Sequence, residues 1–474
     1  MRPAVAMCAL LLAFPPAAAL AETPATILSL PDVQPWRGDL DGMLKRRVIR
    51  ILVVPSKTFF FLNKGETQGL IAETGQEFEK WINKRHAKGP YDIKVEFVPT
   101  RRDRIFQALI DGKGDIAAAN LTVTSRRSEI VDFPKAWLGG VKEILVTGPS
   151  APAVATIFDL GGREIMVRKS SSYHAHLLEL NERLNKDNRP AVKIVPADEA
   201  LEDEDLLEMV SAGLLPWAIV DSHKARLWSH ILKGLSLRDD IAFNQNGEIS
   251  WAIRKNSPQL HKEVEEFVTS HRKFVDDLVS QYLFAGNVVR NALAPADVDK
   301  FHQLVGYFQT YGARYSVDPY MLAAQGYQES SFNQKLRMKS GAVGVMQMME
   351  STARTELGIN DIVTRAEDNI HSGAKYLRYL VDKYLSDPNI PEKEKVLMTL
   401  AAYNAGPSNL QRFRKKAQDM GFNPNIWFGN VEHGAAAIVG QETVQYVGNI
   451  QKYFIVYSTL LPRQEATGAV KSQR

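Results

Sequence analysis

Apolar residues follow two different rhythms along this chain, and the change comes near residue 295. Ahead of it lie short β-rich runs separated by stretches of helical spacing. Val48-Ile49-Arg50-Ile51-Leu52-Val53-Val54 is almost continuously apolar, the pattern of a buried strand. The spacing then predicts a helix over 70–84, a strand over 93–98, a helix over 103–111 and a further strand from 114. Strands alternating with helices imply an α/β unit. A second such unit is predicted from 159–167, through the β-rich string 191–195, to the strand Trp217-Ala218-Ile219-Val220-Asp221. Ile249-Ser250-Trp251-Ala252-Ile253-Arg254 reads as a strand returning toward the first unit, and a helix over 258–285 closes the region. Two α/β lobes imply a cleft between them, the usual place for a small ligand.

Behind residue 295 the period is helical. Phe301, Leu304, Val305, Phe308, Tyr311 and Tyr315 mark one apolar face. Asp318-Pro319 reads as a cap followed by proline in the first turn of the next helix. Val396, Leu400 and Tyr403 mark another helix, which Gly406-Pro407 stops, and Val447, Ile450, Phe454 and Tyr457 mark a last one. The expected organisation is a leader over 22–40, an α/β two-lobed domain over 41–286, a linker over 287–295, a mainly α domain over 296–462 and a polar, disordered tail over 463–474.

The 474 residues exceed the usual size of one domain, and a formal charge of +4 over this length does not suggest a nucleic-acid partner. Residues 1–21 read as an export signal: Arg2, the apolar stretch Val5 to Phe14, and Ala19-Leu20-Ala21 before Glu22. The single cysteine, Cys8, lies inside that segment, so the mature chain would have no disulfide and no thiol nucleophile. No later stretch reaches transmembrane length. A soluble exported protein, in the simplest case periplasmic, is expected.

Candidate chemistry centres on Glu329 in Gln328-Glu329-Ser330-Ser331-Phe332. Leu322, Gly326 and Glu329 share one helical stripe, so a stripe turned inward would partly desolvate the carboxyl. Desolvation favours the neutral acid, and a glutamic acid protonated near neutral pH can donate to a glycosidic oxygen. Twelve positions on, Gly341-Ala342-Val343-Gly344 permits tight turns and close approach of a sugar. Met346, Gln347, Met348 and Met349 read either as an apolar floor with an amide that reads an acetamido group or as flexible core packing. Tyr403 and Asn404 end a helix and either face a cleft or, for Tyr403, join the core. Glu442 and Tyr446, one turn apart, are either in mutual contact or a surface capping pair.

These strings resemble the Slt-type lytic transglycosylases, whose catalytic domain has a lysozyme-like fold. The resemblance rests on Glu329-Ser330-x-Phe332, Gly341-Ala342-x-Gly344-x-Met346-Gln347, Asn369-Ile370-x-x-Gly373-x-x-Tyr376-Leu377, Ala402-Tyr403-Asn404-Ala405-Gly406 and Glu442-Thr443-x-x-Tyr446-Val447. The front lobes resemble family 3 periplasmic solute-binding proteins, and the combination is similar to membrane-bound lytic transglycosylases of the F type. The resemblance implies cleavage of the MurNAc–GlcNAc β-1,4 bond of peptidoglycan glycan strands without water, giving a 1,6-anhydro sugar. Glu329 would be the acid and then the base, so no second carboxyl is required. Gln347, Met349, Tyr403, Asn404, Glu442 and Tyr446 match positions lining the family's cleft, and neither cofactor nor metal is implied. Three positions depart from the family: Met338 stands where many members carry a serine near the acid, and Glu350 and Gln334 replace prolines, read as local loop changes.

In the front lobes, Thr124-Ser125-Arg126-Arg127 matches the string whose arginine clamps a ligand carboxylate, with Arg127 assigned and Arg126 the alternative. Asp221 matches a position that receives a ligand ammonium. Phe59, Phe60, Phe61 and Trp137 either wall the cleft or form strand core. An amino acid, a peptide or a cell-wall fragment (muropeptide) is the expected ligand, with regulation of the catalytic domain and peripheral association with the outer membrane as further expectations. The rival readings are a hydrolytic muramidase, for which Asp361, Asp368 or Glu356 would supply the second carboxyl, and a non-catalytic periplasmic receptor.

Overall fold

The computed structural model describes residues 35–63, 66–87, 92–284 and 292–471. The expected export segment, the leader up to residue 34 and most of the expected linker lie outside the described residues.

Seven strands form the main sheet of the front region. Val48–Val53 runs parallel to Lys94–Pro99 on one side and to Ile116–Thr122 on the other. The long strand Ser236–Arg254 then lies antiparallel to both Ile116–Thr122 and Leu138–Thr147, and Trp217–Asp221 closes the far edge on Leu138–Thr147. The returning strand expected at 249–254 is thus the end of a 19-residue strand shared by both lobes. Its register against Leu138–Thr147 shifts at four places, each an irregularity that bends and twists the ribbon. The second lobe adds a parallel pair, Glu164–Val167 with Lys193–Pro196, bridged by the helix Ser172–Lys186. That helix buries Tyr173, Leu177, Leu180 and Leu184, spaced to lie on one face.

Two expectations need correction here. The helix expected over 258–285 is two helices, Pro258–Ser270 and Arg272–Phe284. The Ser270 hydroxyl donates to the Glu266 and Phe267 carbonyls, and His271 leaves helical geometry with its ring against Phe267. The first lobe also begins earlier than expected. Asp39 caps the helix Leu40–Arg46 and accepts from the backbone N–H groups of Gln259 and Leu260, which ties the end of the expected leader to this lobe.

The C-terminal region is mainly α. Asp318 caps the helix Pro319–Ser330 by accepting from Tyr320 and Met321, with Pro319 in its first turn as expected. This helix packs against the last one, Glu442–Lys471, and against Pro295–Tyr315. Phe301 stacks on Tyr457 at 4.8 Å, and Phe308, Tyr327 and Phe332 complete the aromatic core. The last helix continues past Pro462 to Lys471, so the expected disordered tail is helical to that point.

The helix Asp203–Ser211 joins the two regions. Its first turns carry Glu202, Asp203, Glu204, Asp205 and Glu208, all at most 3% exposed. Each meets a donor from a distant segment. Arg102 clamps Glu202 through its Nε and Nη2, Arg168 and Lys224 bind Asp203, and the Lys57 N–H donates to Glu204. The Lys57 ammonium lies 2.9 Å from Asp205 and 2.7 Å from Glu208. Burial alone would lower the Lys57 pKa, but Asp205 and Glu208 hold it well above its ordinary value. Lys452, on the last helix, reaches the same place: it lies 3.7 Å from Asp205 and donates to the Pro55 carbonyl at 3.1 Å.

Candidate active site and front cleft

The helix Pro319–Ser330 ends one residue after Glu329 because Ser331 adopts a left-handed conformation, as does Phe332. Ser330 fixes this corner: its hydroxyl donates to the Val345 carbonyl at 2.8 Å and accepts from the Asn333 N–H at 3.0 Å. Glu329 is thereby held, half-buried, beside the glycine-rich loop. That loop needs its glycines. Gly344 has φ +80°, and a Cβ there would meet the Asn369 amide nitrogen at 2.3 Å. Asn369 explains the close approach, since it accepts from the Met346 N–H and donates to the Val343 and Ile362 carbonyls. Gln334 holds the loop from the other side through the Val345 N–H and the Ile362 and Val363 carbonyls. Gln334 thus ties two segments together, which is more than the local loop change read from the sequence.

Two tyrosines complete the site. The Tyr446 hydroxyl donates to Glu329 Oε1 at 2.5 Å and lies 3.3 Å from Gln325 Nε2. The Tyr403 hydroxyl donates to the Met346 carbonyl at 2.7 Å. Burial, followed by the nearby Glu329 carboxylate, pushes both phenols well above their ordinary pKa, so both remain proton donors. Gln347 sits at φ +45° and spends its amide N–H groups on the Gly344 and Leu336 carbonyls; its Oε1, buried and without a partner, is an acceptor held ready. Met349 is 40% exposed beside Gly341, an apolar surface against which a sugar face can lie.

In the front region Arg127 and Asp221 lie close enough to interact electrostatically. The Arg127 guanidinium donates to the Thr122 carbonyl at 2.7 Å in the first lobe and the Ser170 carbonyl at 3.0 Å in the second. Burial lowers its pKa to about 10. Asp221 is 1% exposed; one oxygen meets Asn120 and the Lys224 ammonium, and Oδ1 has no partner. Glu143, fully buried, binds Ser172 and His176 in the same neighbourhood. Arg126 is exposed, so of the two arginines only Arg127 points inward.

Residues 49–283 match the family of bacterial extracellular solute-binding proteins, family 3, and residues 306–426 match the transglycosylase SLT domain. Two family models thus match successive stretches of the chain, a solute-binding one first and an SLT one after it. Curated relatives share this length: a membrane-bound lytic murein transglycosylase F of Pseudomonas fluorescens is 27% identical over 88% of this chain and 85% of its own. One from Desulfosudis oleivorans is 26% identical over 83% and 87%. Among solved structures, an amino acid ABC transporter substrate-binding protein of Streptococcus pneumoniae bound to L-arginine covers 53% of this chain and 100% of its own, at 18% identity and a TM-score of 0.42.

Within the SLT domain, Glu329, Gln347, Tyr403 and Tyr446 converge through the bonds described. Asn404 is exposed and accepts from the Thr443 hydroxyl at 2.7 Å, which ties the end of one helix to the start of the last. Glu442 is exposed at the first turn of that last helix, and the Tyr446 hydroxyl bonds to Glu329 and Gln325 rather than to it. Met338 is 54% exposed on the loop. In the front region Phe59 and Phe60 belong to the core, Trp137 packs against it on Trp251 and Phe267, and the Lys224 ammonium lies over the Phe59 ring. Gln325 and Gln334 were not legible as site residues, because their partners are distant in sequence.

Proposed function

We propose that the chain is a peptidoglycan lytic transglycosylase, cleaving the MurNAc–GlcNAc β-1,4 bond to leave a 1,6-anhydroMurNAc end. The observation that carries this reading is the half-buried carboxyl of Glu329, held by Tyr446 next to the glycine-rich loop. Glu329 gives its proton to the leaving glycosidic oxygen as the bond to C1 breaks. The C6 hydroxyl oxygen of the same MurNAc attacks C1, and its proton returns to Glu329. Water is not consumed, and the nucleophile belongs to the substrate. The carboxyls a muramidase would recruit are engaged elsewhere: Asp361 by Thr364, Asp368 by Arg365 and Glu356 by Tyr379. Digestion of purified sacculi tests the reading. Every new end is expected to be one water lighter than a hydrolysed end; reducing MurNAc ends would instead establish a muramidase.

The solute-binding module takes an amino acid, peptide or muropeptide, with Arg127 toward its carboxylate and the unpartnered Asp221 oxygen toward its ammonium. Its closure reaches the SLT domain through the helix Asp203–Ser211, whose Asp203 touches Lys224, the neighbour of Asp221, and whose Asp205 touches Lys452. Isothermal titration with cell-wall peptides is expected to give binding that Arg127→Met removes, together with a change in glycan cleavage by the unsubstituted enzyme; absence of both would end this part of the proposal. Relatives bear names that mark them as membrane-bound. Among the described residues no helix is long and apolar enough to cross a membrane. A periplasmic enzyme peripheral to the outer membrane accommodates both facts.

A further inference from the structure

We infer that Gln325 is a positioning residue that dictates which oxygen of Glu329 carries the acidic proton. Gln325 lies one helical turn before Glu329 and is fully buried, in a helix whose neighbouring positions Leu322, Ala323 and Ala324 are apolar. Its Nε2 is 3.3 Å from the Tyr446 hydroxyl oxygen, which is itself 2.5 Å from Glu329 Oε1. An amide nitrogen can only donate, and a phenol has one proton. With Gln325 donating to the Tyr446 oxygen, that proton must go to Glu329 Oε1. The carbonyl oxygen of a carboxylic acid is its better acceptor, so the oxygen that takes the Tyr446 bond is the carbonyl one and the acid's own proton is placed on Oε2. The glutamate then meets its substrate with the proton in one defined position, and the same bond steadies the carboxylate left after the proton is given up.

The opposite setting of the amide disfavours this state. With Oε1 turned toward the phenol, the Tyr446 proton would be shared between two acceptors, and Glu329 Oε1 could bond to Tyr446 only by carrying the acidic proton itself. Pairing alone does not separate the two settings: the turned amide would leave two buried N–H groups without partners, and the observed one leaves the Gln325 oxygen and one N–H. An aliphatic side chain would fill this position with no unpaired oxygen at all. The unpaired oxygen is the cost of having a donor at the Tyr446 hydroxyl.

This inference rests on Glu329 acting as the acid, and the experiment separates the two. The full chain is compared with Gln325→Met, which keeps the side chain's length, and Gln325→Glu, each also in a Tyr446→Phe background. Release of anhydro ends from a soluble GlcNAc–MurNAc oligosaccharide is followed as kcat/KM against pH, with thermal unfolding recorded for each protein. Gln325→Met is expected to lower kcat/KM at the optimum about fivefold, the weight of one hydrogen bond. It is also expected to move the alkaline limb to higher pH, because a phenol that has lost its donor stabilises the carboxylate less. Gln325→Glu is expected to lose about a hundredfold where the new carboxylate is ionised, since it draws the Tyr446 proton away from Glu329, and to recover toward acid pH. In the Tyr446→Phe background Gln325→Met should add no further shift, because its effect passes through that hydroxyl. Profiles that superimpose on wild type after scaling, or effects that add fully to Tyr446→Phe, would overturn the inference and leave Gln325 a packing residue. Should Gln325→Met not fold, the pH-dependent recovery of Gln325→Glu decides alone. Loss of the assigned acid role would show differently, as activity surviving in Glu329→Gln.

Discussion

Glutamine in place of Glu329 is expected to stop the release of anhydro ends, by at least about a thousandfold, while the protein folds and melts as the wild type does. General acid–base participation contributes on the order of 10² to 10⁴ in rate, and here one carboxyl serves both halves of the reaction. Glutamine keeps the shape of the side chain, and its amide oxygen can still accept from Tyr446, so the local packing has no reason to change. What it cannot do is surrender a proton to the leaving oxygen or remove one from the C6 hydroxyl. Quantifying anhydro ends from sacculi against enzyme concentration checks this directly. If the variant cleaves as fast as the wild type, Glu329 is not the acid and the proposed function falls with it.

The second large effect is one of stability. Lys57→Met would leave Asp205 and Glu208, each 1% exposed, facing one another with only Lys452 at 3.7 Å from Asp205 as counter-charge. Breaking a buried pair by removing one partner costs about 3–5 kcal/mol, because a charge stays buried without compensation. A fall in melting temperature on the order of 5–10 °C is expected for a protein of this size. At Asp205 the pH dependence should also change sign, whereas burial already pushes Glu208 up to about 7 in the wild type, so its contribution keeps its direction and grows. In the wild type, burial would raise the Asp205 pKa, but Lys57 and Lys452 hold it below the ordinary aspartate value. Its contribution is therefore present above that ordinary value and lost as the pH falls through the depressed one. Without Lys57 burial dominates, the carboxyls bind protons more tightly folded than unfolded, and the variant regains stability as the pH falls toward 4. Melting curves of both proteins between pH 4 and 8 test this. Equal melting temperatures across that range would mean that Lys57 contributes nothing net.

The strand Trp217–Asp221 is legible to the residue, because Trp217, Ile219 and Val220 are strong β formers in a short apolar run. Leu138–Thr147 is not, because Gly139, Gly140, Lys142 and Glu143 break its apolar pattern. The acidic string from Glu202 to Glu208 would ordinarily be read as a solvated face. Its cations come from residues 57, 102, 168, 224 and 452, and no local window contains that information. The site divides in the same way. Glu329, Gln347, Tyr403 and Tyr446 stand in strings whose order and spacing mark them. Gln325 looks like an ordinary helix residue until Tyr446, 121 positions away, is placed beside it. Glu442 is the reverse case: its i, i+4 spacing to Tyr446 suggests a contact, but the Tyr446 hydroxyl bonds to Glu329 and Gln325 instead.

Ser236–Arg254 runs unbroken through both lobes of the solute-binding module, with its register slips concentrated where it lies along Leu138–Thr147. Lobes joined by a slack tether would swing freely and hold no preferred separation. Lobes cut from one ribbon behave as the two ends of a leaf spring. Parting them twists a hydrogen-bonded strand, so the module has a resting angle, a restoring torque and a stiffness set by its irregular stretch. The mechanical character of any signal it sends toward the glycan-cleaving end is thus written in the backbone of one strand.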